Sequence, residues 1–239
     1  MPSAGAATLA VVGRDLGVQV TFRSMTRELV TADLADAWAE RFESLPPVRV
    51  PRAFKGQRNF AGSWWFATTQ THVAFESWLE RDHLMLLDFA PEVAAVAAQP
   101  FTAVLPMPSR PRKHTPDYFV RMVDGTGVVI DMRPDRRAVK DAGVFEATAD
   151  ACAQVGWEYQ RLGDISPVFS ANVRWLSGYR HPRCRHETVA EVCSSMRLRS
   201  AIRPWARWHG LSGIRWWFSP ACATCSGRVS STPACGPCG

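Results

Sequence analysis

Residues 117–133, Asp-Tyr-Phe-Val-Arg-Met-Val-Asp-Gly-Thr-Gly-Val-Val-Ile-Asp-Met-Arg, decide how the chain folds. Asp117 to Val123 carries aromatic and β-branched residues and predicts a strand, and Val128 to Arg133 predicts the returning strand. Between them, Asp124-Gly-Thr-Gly127 predicts a tight hairpin turn, because glycine takes positive φ without strain. Antiparallel pairing across that turn sets residues near 120 against residues near 131. Asp117 and Asp131 then lie toward the same end of the hairpin, away from the turn. Arg133, two residues past Asp131, points to the same sheet face.

Upstream, Thr71 to Phe89 has neither Gly nor Pro and reads as one helix of about five turns. Phe75, Trp78, Leu79, Met85, Leu86 and Phe89 make an apolar face. Glu76 and Glu80 stack four residues apart, with His83 a turn further on. An apolar helix that still carries a carboxylate pair is a place to look for chemistry. Val93 to Pro106, interrupted at Gln99-Pro100, reads as one bent strand or two short ones, and Ser109 to His114 as a basic turn. Downstream, Asp141 to Val155 reads as an amphipathic helix with Phe145, Thr148 or Ala149 and Cys152 on one side. Trp157 to Leu162 reads as a strand and Val168 to Tyr179 as a last helix. The order is α-β-β-β-α-β, an α/β class. Nearer the start, Val18–Phe22 reads as a strand and residues 31–40 as a short helix. These belong to an extension over residues 1–50, ahead of a main domain over 51–180.

The chain has 239 residues, 46% of them hydrophobic and 21% charged, an ordinary globular composition. No apolar run approaches the roughly 18 residues of a membrane span. The first residues lack the basic start of a signal peptide, so a cytoplasmic protein is expected. The net charge of +6 suggests nucleic acid, but its distribution is uneven. Residues 1–180 hold 20 Lys+Arg against 20 Asp+Glu, so the whole excess lies in the last quarter. Locally, Arg49, Arg52, Lys55 and Arg58 are interleaved with Phe54, Phe60, Trp64, Trp65 and Phe66, and no acid occurs between Glu43 and Glu76. That segment either grips phosphates or packs its aromatics on the body.

Glu80 (or Glu76), Asp117 and Asp131 thus form a candidate carboxylate set. Convergent carboxylates are the hard oxygen ligands preferred by Mg²⁺ or Mn²⁺. Arg133 is suited to a phosphate oxygen. Each acid alone has a plainer reading: solvated helix charges for Glu76 and Glu80, a strand-start Asp for Asp117, a surface pair for Asp131 and Arg133. The joint order and spacing favour a site. His114 and His83 are read as positional residues, and Asp88 as a helix-end residue near the site, none of them a ligand.

Four segments in this order, FESWLERDHLMLLDF (75–89), QPF (99–101), HTPDYFV (114–120) and VVIDMRPD (128–135), resemble the N-terminal catalytic domain of TnsA. TnsA is the endonuclease subunit of heteromeric TnsA/TnsB-type transposases, within the PD-(D/E)XK nuclease superfamily. The resemblance spans roughly Phe54 to Tyr179. It implies a restriction-endonuclease-like core with a mixed central sheet and Mg²⁺-dependent DNA cleavage at transposon ends. It also implies a DDE-type, TnsB-like partner that cuts and joins the other strand. Glu80 matches the helix glutamate, with Glu76 as second candidate. Asp117 matches the central metal ligand, and Asp131 stands where the family has Glu, Asp or Gln. Arg133 stands where Lys is usual, and Arg cannot serve as a base because it does not give up its proton. Arg52, Lys55, Arg58, Arg112 and Lys113 are candidate DNA contacts. A stand-alone restriction or repair nuclease and a decayed, non-catalytic binding subunit are the alternative expectations.

Residues 181–239 change character: Arg, Trp and Cys rise and Lys vanishes. Cys222, Cys225, Cys235 and Cys238 form two CxxC pairs with spacing for Zn²⁺. Only nine residues separate the pairs, and no apolar periodicity accompanies them. Translation of a GC-rich segment out of frame is therefore the favoured reading over zinc.

Overall fold

The computed structural model describes residues 17–50 and 60–184. The basic candidates Arg52, Lys55 and Arg58, the four tail cysteines and nearly all of the tail lie outside them. The fold is mixed α/β with several sheets.

Strands β1 (Gln19–Arg23) and β2 (Leu29–Asp33) form a hairpin, followed by the single-turn helix α1 (Leu34–Ala37). The helix expected over residues 31–40 is confined to that turn. Asp33 sets its start by accepting the Ala35 amide at 2.8 Å, which leaves Thr31 and Ala32 in the strand. Phe42, on a 3-10 turn (Phe42–Ser44), is fully buried among the rings of Phe22, Phe101, Phe119 and Trp157. Residues 18–42, expected in an extension, therefore contribute directly to the core.

The long expected helix is two elements. Strand β4 (Thr71–Phe75) pairs with β3 (Gly62–Phe66) in a hairpin, and helix α2 begins only at Trp78 and runs to Phe89. The turn between the strands, residues 67–70, contains no Gly or Pro. Gln70 takes the left-handed conformation (φ 57°) that usually marks a glycine. The core-facing side of α2 is also rotated from expectation: Leu84 and Leu87 are the most buried, while Trp78 is exposed and Leu86 only half-buried.

Strands β5 (Val93–Ala98) and β6 (Phe101–Leu105) realise the two-strand alternative for residues 93–106, but they enter different sheets. Residues 112–114, expected within a turn, form the short strand β7 beside β6. One sheet runs β2-β1-β6-β7. The other combines β5 with β8 (Tyr118–Met122), β9 (Gly127–Met132) and β10 (Glu158–Leu162), in the order β10-β9-β8-β5. That second sheet is mixed: β9 is antiparallel to β8 and parallel to β10, the crossover being helix α3 (Asp135–Gln154). Helix α3 starts six residues earlier than expected, immediately after Pro134, and the Asp164 carboxylate accepts its first amide at 3.0 Å. Every residue of β9 is buried, as expected of a central strand covered on both faces. Phe119 and Val129 join the core shared with the first sheet and α3, while Tyr118, Val120, Val128 and Ile130 face α2.

Helix α4 (Pro167–Ser177) is clamped to α2 by Arg174 on Asp82, and the following turn is clamped by Arg180 on Asp88. Asp88 is thus a helix-end anchor, as expected, but at the opposite end of α2 from Glu80 and not beside the site. His83 is buried and its Nε2 lies 2.8 Å from the Gly163 carbonyl. Burial pushes its pKa down, leaving a neutral ring that donates to the carbonyl. No helix among the described residues is long and apolar enough to cross a membrane.

Candidate active site

The register of β8 and β9 sets Tyr118 against Ile130 and Val120 against Val128. The expected pairing of residues near 120 with residues near 131 is therefore displaced by about three. The displacement brings Asp117 and Asp131 closer than expected: one step beyond the Tyr118–Ile130 pair, they fall opposite each other. Asp117 is half-buried just before β8, and its Oδ2 accepts the Met132 amide at 2.6 Å. Asp131 is 1% exposed. Its Oδ2 is 2.8 Å from His114 Nε2 and accepts the Tyr159 hydroxyl at 2.8 Å, while its Oδ1 is buried and has no hydrogen-bond partner among the described residues.

Glu80 reaches this end of the sheet from the first turn of α2. Ser77 caps the helix by accepting the Glu80 amide at 3.2 Å. The Glu80 carboxylate reaches back to the Ser77 hydroxyl and the Glu76 amide, both at 2.7 Å. Both its oxygens are engaged in this capping box. Glu76 precedes the helix, so the two glutamates do not stack on one helical face. The Glu76 carboxylate instead accepts from Arg49 at 3.1 Å and from the Gln99 side-chain amide. Gln99 is buried, takes φ 47°, donates its backbone amide to the Asp117 carbonyl at 2.9 Å and has no partner for its Oε1 among the described residues. It ties Glu76 to Asp117. The Gln99-Pro100 break was visible in the sequence, but the role of its side chain was not.

The electrostatics bind these acids into one group. The Asp117 carboxyl is raised well above the usual range, first by burial and then by the charges of Glu80 and Asp131, against the Met132 amide and Arg133. Glu80 is raised by burial and by Glu76, against its capping hydrogen bonds and Arg133. Such a cluster is relieved by protons or by a cation. Among the described residues Arg133 is the positive group that acts on both acids, but its Nε stands 3.4 Å from Asp141 Oδ2 on α3, and that Nε–H is buried without a hydrogen bond to any of them. Arg112 approaches the other oxygen of Asp141 at 3.5 Å, so Asp141 links β7 to Arg133. Lys113 is exposed on β7.

A divalent ion can be tested against these residues. Among the described residues, no group of three or more His, Cys, Asp or Glu side chains is gathered, as placed, to hold a metal ion. The donor chemistry nevertheless fits at two positions. Asp117 carries a carboxyl disfavoured as an anion, and Asp131 carries a buried oxygen with no partner. Both are all-oxygen features that Mg²⁺ or Mn²⁺ would satisfy. Cys152 also lies near Asp131, but burial, then the Asp131 charge, pushes its thiol up to about 12, so it is no thiolate ligand at neutral pH. Glu80, expected as a third metal ligand, has both carboxylate oxygens engaged by the Ser77 hydroxyl and the Glu76 amide.

No family model matches the chain, and no curated protein is significantly similar to it.

Proposed function

We propose that the chain is a metal-dependent DNA endonuclease subunit, most like the TnsA-type subunit of a heteromeric transposase. The observation that carries this reading is the placement of Asp117 opposite Asp131 at one end of the mixed sheet, within the charge field of Glu80 and Arg133. The sequence of elements α2, β5, β8, β9, α3 and β10 supports it, since it is the α-β-β-β-α-β order with β6 and β7 added to the other sheet. Asp117 and Asp131 would hold Mg²⁺ or Mn²⁺. Bound there, the ion would supply water activation and neutralise charge on a phosphodiester.

The chain's own residues have separate tasks. Glu80 keeps negative charge at the site while capping α2. Arg133 has an unused, buried Nε–H and is released from Asp141 at little cost, since their 3.4 Å contact is not a hydrogen bond. It would steady a phosphate oxygen, and it does not act as a base. Arg112 and Lys113 extend positive charge from the site along β7, a track for the DNA backbone.

The engagement of both Glu80 oxygens in the cap favours a second reading, a subunit that binds DNA or its partner without cutting. Purified chain with a DDE-type partner, Mg²⁺ and transposon-end DNA separates the two. The nuclease reading expects nicking that Asp117→Ala abolishes while the circular dichroism spectrum stays unchanged. Nicking unaltered by that substitution overturns the site. Nicking without any partner points to a stand-alone nuclease.

A further inference from the structure

We propose that His114 and Tyr159 are positioning residues that hold Oδ2 of Asp131 and thereby aim its Oδ1 at a divalent cation. The inference rests on the reading of Asp131 as a metal ligand.

The distribution of donors is the observation. Among the described residues, both donors to this carboxylate fall on one oxygen, each at 2.8 Å, and the other oxygen is buried with none. A carboxylate with a purely structural task is cheapest when its donors are shared between both oxygens, because a buried acceptor without a partner costs about 1–3 kcal/mol. Two donors on one oxygen and none on the other fix the rotation of the group and leave a directed lone pair. Ligating carboxylates are characteristically held in this way.

The two donors come from different parts of the fold, so the aim is over-determined. His114 ends β7 and pairs with Ala103 in the first sheet. Tyr159 lies on β10, next to β9 in the mixed sheet, and its ring stacks on Phe145 of α3 at 6.4 Å between centroids. The Tyr159 hydroxyl donates, because the carboxylate oxygen it faces only accepts. For its contact, His114 must carry a proton on Nε2, since a carboxylate oxygen only accepts. Asp131 is thus held between the two sheets, and the site depends on how they meet.

The test is Mn²⁺ titration of the full-length protein by calorimetry, with wild type, Tyr159→Phe and His114→Ala. Tyr159→Phe keeps the ring and its stacking, and it removes only the donor. The metal-free melting temperature is recorded for each variant, so that a lost fold is not taken for a lost aim. The expected result is saturable binding by wild type and a dissociation constant raised about 10–100-fold in Tyr159→Phe, with metal-free folding retained. His114→Ala is expected to weaken binding in the same direction. Equal Mn²⁺ affinity in wild type and Tyr159→Phe overturns the positioning role and leaves the site reading standing. Absence of saturable Mn²⁺ binding by wild type overturns both.

Discussion

At the scale of the residue, Asp117 is where stability and function oppose each other. Burial and two neighbouring carboxylates raise its pKa, so the folded, metal-free protein holds its proton more tightly than the unfolded chain does. The stabilisation this gives is complete below the ordinary value of 3.8 and is lost as pH rises through the raised one. At neutral pH, Asp117 therefore costs stability. Asp117→Asn removes the charge and keeps an acceptor for the Met132 amide. It is expected to stabilise the metal-free protein by on the order of 1 kcal/mol at pH 7, a melting shift of about 2–4 °C, while cleavage is lost. A lowered melting temperature would show that the Asp117 charge is already compensated. Arg133 works the other way, because its task belongs to substrate. Arg133→Ala removes a charged hydrogen bond of about 1.5–3 kcal/mol to phosphate and is expected to lower nicking about 10–100-fold. Arg133→Lys retains the charge and is expected to lose less. Equal losses in both would tie the role to guanidinium geometry and not to charge.

At the scale of the element, helix α2 ties the site to the fold through its first turn. The Ser77 hydroxyl both caps the helix and holds Glu80, so one substitution reaches both. Ser77→Ala is expected to cost about 1 kcal/mol, read as a melting shift of about 2–4 °C, and to reduce nicking by releasing the Glu80 carboxylate. A stability loss with nicking intact would mean that Glu80 serves only the cap. The start of this helix was legible: Ser77-x-x-Glu80 is a capping box, written in the sequence ahead of an apolar run. It competes with an apolar pattern that runs back to Thr71, because nothing punctuates residues 67–77. The β3–β4 turn relies on Gln70 at φ 57°, where a glycine would have announced it. The β8–β9 hairpin was legible for the opposite reason, since Gly125 takes φ 93° in its turn. Gly127 has another task that the turn reading hid. A Cβ there would lie 2.8 Å from both Phe119 and Trp157, so this glycine makes room for the aromatic core. Phe42 left no local signal either, because its burial depends on partners up to 115 residues away along the chain.

At the scale of the whole molecule, the two ends of α2 carry opposite electrostatics, and this sets how the protein responds to pH and to metal. The cluster of Asp117 and Glu80 at its first turn was foreseeable from residue types. The pairing that completes it depends on register, and a short hairpin sequence does not set register to within a residue. The partners of Asp131 were less legible still, because His114 and Tyr159 reach it across strands from two different sheets. At the far end of α2, burial raises the Asp88 pKa, but hydrogen bonds from Arg180 and Thr68 outweigh it and hold the carboxyl below its ordinary value. Its contribution is present above 3.8 and lost as pH falls through the lowered value. The raised pair, with ordinary values of 3.8 and 4.5, runs the other way. Metal-free stability is therefore expected to peak at mildly acidic pH, above the Asp88 transition and below those of Asp117 and Glu80. A divalent cation competes with the protons on that pair, so its stabilisation must grow as pH rises. At pH 8 and 100 times the dissociation constant, Mn²⁺ is expected to add about 2.7 kcal/mol, a rise in melting temperature of roughly 5–10 °C. At pH 5 the rise should be small, and in Asp117→Asn it should vanish at both pH values. Differential scanning calorimetry at pH 5 and pH 8, with and without Mn²⁺, checks this directly. A rise that ignores pH, or that survives in Asp117→Asn, would place the ion away from the β8–β9 carboxylates.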